Sequence, residues 1–266
     1  MYFFELLISL YLVLIGYALL YAPIIIIILI LIKNKKNKGN KEKQFGSYYP
    51  QGKRYNASSY CYITKKSFSE VINNKGTCGE YLIYKSLRHF EREGARFLFN
   101  IYVPREDGKM SEIDVLMIHK KGLFVFESKN YSGWIFGDEN QSDWYQTLCA
   151  GKNGIHKECF YNPIMQNRSH IKYLKTFLKR QVPMHSIVVF SNRCTLKRIK
   201  TYNNDTIIIY RDNIIPTVNN ICNQIPNVLN DNNIVEIYNK LYPYTQVDNA
   251  TRMQHIANIH KTQPYN

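Results

Sequence analysis

Glu112-Ile113-Asp114-Val115, followed at residues 125–130 by Val125-Phe126-Glu127-Ser128-Lys129-Asn130, is the stretch whose reading decides the fold. Two acids and a lysine stand in apolar, β-prone surroundings. A strand side chain repeats every two residues, so Glu127 and Lys129 share one face. Between the acids lies His119-Lys120-Lys121-Gly122, a tight turn closed by glycine. A turn centred on Lys120-Lys121 sets residue 118 against 123, 116 against 125 and 114 against 127. Asp114 then lies across a hairpin from Glu127. Adjacent carboxylates repel unless a cation or a proton lies between them. With a lysine beside them, they suit a metal site that activates water. The plain alternative is a solvated hairpin face carrying an ordinary salt bridge.

The flanking sequence supplies the layers for such a hairpin. Residues 76–94 carry Leu82, Ile83, Leu87 and Phe90 at helical spacing between glycines. Glu80 lies in the first turns of that helix, where its charge also suits the helix dipole. Residues 96–103 and 133–137 read as strands, and so do 187–190 and 207–210. A second helix spans 163–180, with Asn162 as its cap and Pro163 at its first position. Two weaker helices follow near 212–223 and 232–241. This order predicts an α/β fold with a mixed sheet. The polar tail from Tyr244 reads as loosely ordered.

The formal net charge is +15 over 266 residues. Removing the charges at residue 5 and at 33–43 leaves 29 basic and 18 acidic residues, a surplus of +11. The remainder is itself basic, which favours nucleic acid or an anionic membrane surface as partner. Six cysteines are scattered without a C-x-x-C pair, which fits a reducing compartment. Cys149, His156 and Cys159 come nearest to a zinc cluster but lack a fourth ligand.

Residues 6–32 carry no charge and exceed the roughly 20 residues that cross a bilayer as a helix. Lys33, Lys35, Lys36, Lys38, Lys41 and Lys43 follow the span, which places that side in the cytoplasm. The expected plan is a single-pass anchor over 1–32 with its N-terminus outside and a basic linker over 33–60. A cytoplasmic domain over 61–243 and a polar tail over 244–266 follow.

Several blocks, in order, resemble the nuclease-related domain (NERD) family. They are Gly79-Glu80, Glu112-Ile113-Asp114, and Glu127-Ser128-Lys129-Asn130-Tyr131-Ser132-Gly133 running to Gly137 and Trp144. Asn162-Pro163-Ile164-Met165-Gln166-Asn167 follows, with His170 and Leu174. The blocks cover residues 76–180. The family resembles a branch of the PD-(D/E)xK nuclease-like superfamily, which implies a restriction-endonuclease-like mixed sheet flanked by helices. It also implies that Asp114 and Glu127 hold Mg²⁺ or Mn²⁺, with Glu80 assisting. Lys129 and Gln166 complete the catalytic set, on a nucleic-acid substrate with DNA as first choice. A lipid bilayer around residues 6–32 and a second copy of the chain are further expected partners. Ser128 stands where an aliphatic residue is common, on the side of the strand away from the site.

Other residues divide between two roles. Arg105, Lys109 and Arg168 are candidates for the phosphate backbone, and Lys120 and Lys121 are weaker ones. Glu112 reads as a structural partner rather than a ligand, and His170 as helix packing rather than a general base. Trp134 and Trp144 read as core rather than as base-stacking surfaces. The leading functional expectation is a membrane-anchored, metal-dependent nuclease. The alternative is a membrane-tethered nucleic-acid-binding or assembly module with a weak or inactive site.

Overall fold

Hydrophobic alternation on both faces of three consecutive segments builds the centre of the molecule. Strand β1 (Arg96–Pro104) pairs antiparallel with β2 (Met110–His119), which pairs antiparallel with β3 (Gly122–Lys129). Strands β7 (Met184–Phe190) and β9 (Thr206–Tyr210) then add in parallel beyond β3, giving a five-stranded mixed sheet ordered β1-β2-β3-β7-β9. Burial on both faces explains why β3 reads Leu-Phe-Val-Phe with no polar residue before Glu127. The computed structural model describes residues 59–149 and 155–262. The expected membrane span and nearly all of the expected linker therefore lie outside the described residues. Among the described residues no helix is long and apolar enough to cross a membrane.

Helices cover the sheet. Short helices α1 (Ser59–Thr64) and α2 (Phe68–Asn73) lead into α3 (Lys75–Leu87), which a 3₁₀ turn extends through Arg88–Glu93. Gly94, at φ 94°, ends that turn in the left-handed conformation that glycine adopts without penalty. Helix α4 (Pro163–Leu178) is capped by Asn162, whose Oδ1 accepts from the backbone of Ile164 and Met165. Helices α5 (Ile214–Gln224) and α6 (Asp231–Leu241) add Ile214, Val218, Ile234 and Leu241 to the main core.

A second sheet, absent from the sequence reading, comprises β4 (Gly133–Asp138), β5 (Asp143–Cys149), β6 (Ile155–Tyr161) and β8 (Cys194–Lys200), in the order β6-β5-β4-β8. It too is mixed, with β8 parallel to β4. Its inner face gives Ile135, Trp144, Phe160 and Cys194 to a smaller core shared with Val188 and Phe190 of β7. Gly137 makes room for Trp144, whose ring lies where a Cβ would project. Strands β5, β6 and β8 are not legible in the sequence because their outward positions carry charges and hydroxyls that blur the apolar alternation. The expectation of a loosely ordered tail is also corrected, because Asn249–Thr262 forms helix α7. Two contacts tie this region down. Gln246 Nε2 donates to the Ile63 carbonyl at 2.8 Å, and His255 Nε2 lies 3.4 Å from Glu112.

Candidate active site

The hairpin register is the one the glycine turn predicts. His119 faces Gly122, Leu116 faces Val125, and the ladder runs to Val115 opposite Phe126. It stops there. At the next position the Asp114 side chain takes over, and Oδ2 accepts the Ser128 N–H at 2.8 Å. Asp114 is thereby held beside the end of β3, where Glu127 and Lys129 point toward helix α4.

Glu127 is 1 % exposed and both of its oxygens are engaged. Lys129 Nζ lies 2.8 Å from Oε1, and His170 Nε2 lies 3.2 Å from Oε2. Lys129 Nζ also donates to Gln166 Oε1 at 3.0 Å. Gln166 and His170 are one turn apart on α4 and so face the strand together. Ser111 Oγ sits 2.7 Å from His170 Nδ1 and fixes the far side of the ring.

Glu80, on α3, joins from the other flank. The Tyr60 hydroxyl donates to its Oε2 at 2.6 Å, and Asn100 Nδ2 donates to the same oxygen at 2.9 Å. Helix α3 approaches β3 closely because residue 79 is glycine: a Cβ there would lie 2.7 Å from Ser128 Oγ and 2.8 Å from Asn130 Cβ. Ser128 thus faces away from the lysine, as strand alternation requires, and forms the seat for the helix that carries Glu80. Gly79, Lys129, Asn130, Ser191 and Arg211 line a small hollow at this end of β3.

The carboxylates divide electrostatically. Burial pushes the Asp114 carboxyl well above its ordinary range, and the charges of Glu127 and Glu80 push it further. Burial likewise lifts Glu80 to about 7, against the hydrogen bonds from Tyr60 and Asn100. Burial also acts to raise Glu127, but Lys129 and His170 outweigh it and hold that carboxyl low. Lys129 is desolvated, yet Glu127, Tyr131 and Asp114 keep it charged beyond the ordinary range. An acid–lysine pair whose charges support each other thus stands beside two acids whose ionised forms burial disfavours.

Glu80, Asp114, Glu127, Lys129 and Gln166 therefore gather at one place. Three residues there were missed as site partners. Tyr60 belongs to α1, in the stretch read as linker. Asn100, whose signal in the sequence is a lone asparagine inside an apolar strand, sits at φ 48°, a left-handed conformation that asparagine tolerates. His170 was read as packing, and its spacing of four from Gln166 was the available clue. Glu112 is a structural partner, accepting from the Tyr102 hydroxyl at 2.8 Å. Arg168 is bound to Glu139 and Asp205, which removes it from the phosphate-binding candidates. Trp144 is buried as read, but Trp134 is 47 % exposed. Among the described residues no group of three or more His, Cys, Asp or Glu side chains is set closely enough to hold an ion alone.

An uncharacterized protein of Bacillus anthracis is 28 % identical over 186 residues, which cover 70 % of this chain and 84 % of that protein. No solved structure matches the chain significantly. The nuclease-related domain family matches residues 75–191, a span that runs from the start of α3 past the end of β7 and contains Glu80, Asp114, Glu127, Lys129 and Gln166. Over residues 75–191 the chain is thus similar to the nuclease-related domain family.

Proposed function

We propose that the chain is a metal-dependent hydrolase of nucleic-acid phosphodiester bonds, held at a membrane by residues 6–32. The observation that carries this reading is the meeting of Asp114, Glu80 and the Glu127–Lys129 pair at the end of β3, inside a nuclease-related domain. A hard divalent ion, Mg²⁺ or Mn²⁺, suits these donors. They are carboxylate oxygens, and Asp114 Oδ1 and Glu80 Oε1 have no hydrogen-bond donor among the described residues. Asp114 is also the group whose ionisation its neighbours oppose and a cation would favour. The lack of a closed cluster is compatible with Mg²⁺, which keeps several waters and uses one or two carboxylates plus substrate phosphate.

Asp114 and Glu127, with Glu80 assisting, would hold that ion. When bound, it polarises the phosphate and lowers the pKa of an attacking water. The chain's own residues do the rest. Gln166 and Glu127 fix Lys129 so that its charge meets the phosphate where negative charge grows. His170, anchored by Ser111, holds Glu127 in place, and Tyr60 and Asn100 hold Glu80. The basic surplus draws a polyanion to the site.

One observation favours a second reading, a tethered nucleic-acid-binding module with an idle site: both Glu127 oxygens are already engaged. Cleavage separates the two. The full chain in detergent is incubated with supercoiled plasmid and with circular single-stranded DNA, in Mg²⁺, Mn²⁺ or EDTA. The expected result is cutting with an ion and none in EDTA, with Asp114→Asn slower by about 100-fold. Mg²⁺ should also raise the thermal midpoint of the parent protein and not that of Asp114→Asn. No cutting with either ion, together with equal Mg²⁺ shifts in both proteins, overturns the nuclease reading.

A further inference from the structure

We propose that the outer face of the four-stranded sheet is a binding surface for a single-stranded segment of nucleic acid, next to the cleavage site. The proposal rests on the nuclease-related reading only for the choice of polymer; the surface stands on its own features.

Strand pairing decides which side chains share this face. Trp134 lies opposite Thr147 on β5 and Thr195 on β8. Phe136 lies opposite Tyr145 and Arg198, and Thr147 lies opposite Lys157. Directly opposed residues project to the same side. The other side of the sheet is closed by the smaller core, so this side is turned to solvent.

The face therefore combines aromatic rings with cations. Lys157 Nζ stands 3.8 Å from the Tyr145 ring centre, and Lys197 Nζ stands 5.2 Å from that of Trp134. Among the described residues Lys157, Lys197 and Arg198 join no ion pair with a carboxylate, whereas Lys200 lies 3.9 Å from Asp138. Asp138 and the nearby Asp143 lie toward the end of the face remote from Gly133.

The chemistry narrows the occupant. A folded protein's own lysine stems also cover exposed rings, so cation over ring is by itself only packing. Unpaired bases have flat faces that stack on aromatic rings, and their phosphates meet the neighbouring cations. A duplex hides those faces. An anionic membrane would use the charges but not the orientation of the rings.

Continuity with the candidate active site supports the choice. Strand β4 begins four residues after Lys129. Arg193, one residue before β8, spans the junction, with Nη2 donating to the Asn130 carbonyl at 2.9 Å and to Asn130 Oδ1 at 3.0 Å. A strand lying across Trp134 would pass this arginine on its way to Lys129.

Binding can be read without cleavage. The chain has two tryptophans, and Trp144 is buried, so quenching of fluorescence by a short oligothymidylate in EDTA reports Trp134. The full chain, embedded in phosphatidylcholine nanodiscs, is titrated with this probe, with the same sequence as a duplex, and with phosphatidylserine vesicles. The expected result is quenching by the single strand, about tenfold weaker binding by Trp134→Ala, and binding mostly kept by Trp134→Tyr. Lys197→Ala and Arg198→Ala should each shallow the salt dependence by about 0.7 in log–log slope. These exposed positions leave the core intact, and an unchanged thermal midpoint checks it. Affinity unaffected by both Trp134→Ala and Lys197→Ala overturns the proposal. So does duplex binding with the same dependence on Trp134, or vesicle binding that needs Trp134 when oligonucleotide binding does not. A chain that binds through Trp134 yet cuts nothing upholds this surface and sinks the nuclease reading alone.

Discussion

Lys129 is a largely buried cation, its side chain 13 % exposed, whose charge is met by Glu127 and whose remaining reach is taken by Gln166. Removing one member of a buried ion pair leaves the other desolvated and uncompensated. Lys129→Ala should therefore lower folding stability by about 3 kcal/mol in urea unfolding, beyond any effect on cleavage. Asp114, Glu127 and Lys129 were legible as neighbours because strand alternation and a glycine turn set their positions locally, whereas Gln166 followed from the family resemblance alone. His170, Tyr60 and Asn100 were not legible. A histidine at helical spacing reads the same whether it packs or holds a carboxylate. Only the crossing of α4 over β3 brings its Nε2 to within 3.2 Å of Glu127.

At the level of elements, one close approach sets the site. Helix α3 lies against the end of β3 because Gly79 has no Cβ to strike Ser128 and Asn130. Gly79→Ala should raise helix propensity by about 1 kcal/mol and still lower overall stability, because crowding in a packed contact costs about 1–3 kcal/mol. Adding Ser128→Ala should recover part of the loss, since Ser128 Oγ is the nearer of the two obstacles. Thermal unfolding of the single and double variants checks both statements. The element pattern of the first sheet was readable, with helices near 76–94 and 163–180 and strands near 96–103, 111–118 and 122–129. The second sheet was not, because half of its positions face solvent and carry Lys, Arg and Thr, which give no apolar rhythm. The helix at Asn249–Thr262 was hidden likewise, since its composition is polar and its anchor is His255 against Glu112.

Across the whole molecule, Glu139 joins the turn between β4 and β5 to α4 and to the 202–203 loop. It accepts from the backbone of Tyr202, from the Arg168 guanidinium and from Asn203. Foremost the Tyr202 hydrogen bond, then Arg168 and Asn203, holds its carboxyl down to about 2. A depressed carboxyl adds stability above its unfolded value, and that stability drains away as pH falls through the folded one. The contribution should therefore be complete above about pH 4.5 and lost toward about pH 2. Glu139→Gln should show a lower thermal midpoint at neutral pH and a shallower decline over that window. Membrane topology is tested by placing a thiol on the exposed side of α5. Asn219→Cys should stay unreactive to an impermeant reagent in intact cells and react after lysis; reaction before lysis overturns the cytoplasmic placement. Cys194 is unsuitable for this purpose because it is buried. By itself, the sequence determined the hairpin, its register, the flanking helices, the acid–lysine core and the resemblance to the nuclease-related domain family, because each rests on short-range periodicity or on ordered blocks. Only tertiary structure decided which oxygens are engaged, that Glu80 is held by Tyr60 and Asn100, that Trp134 faces solvent while Trp144 is core, and that a second sheet stands beside the site. Those outcomes depend on which faces meet across long separations in the chain, and local pattern does not encode that meeting.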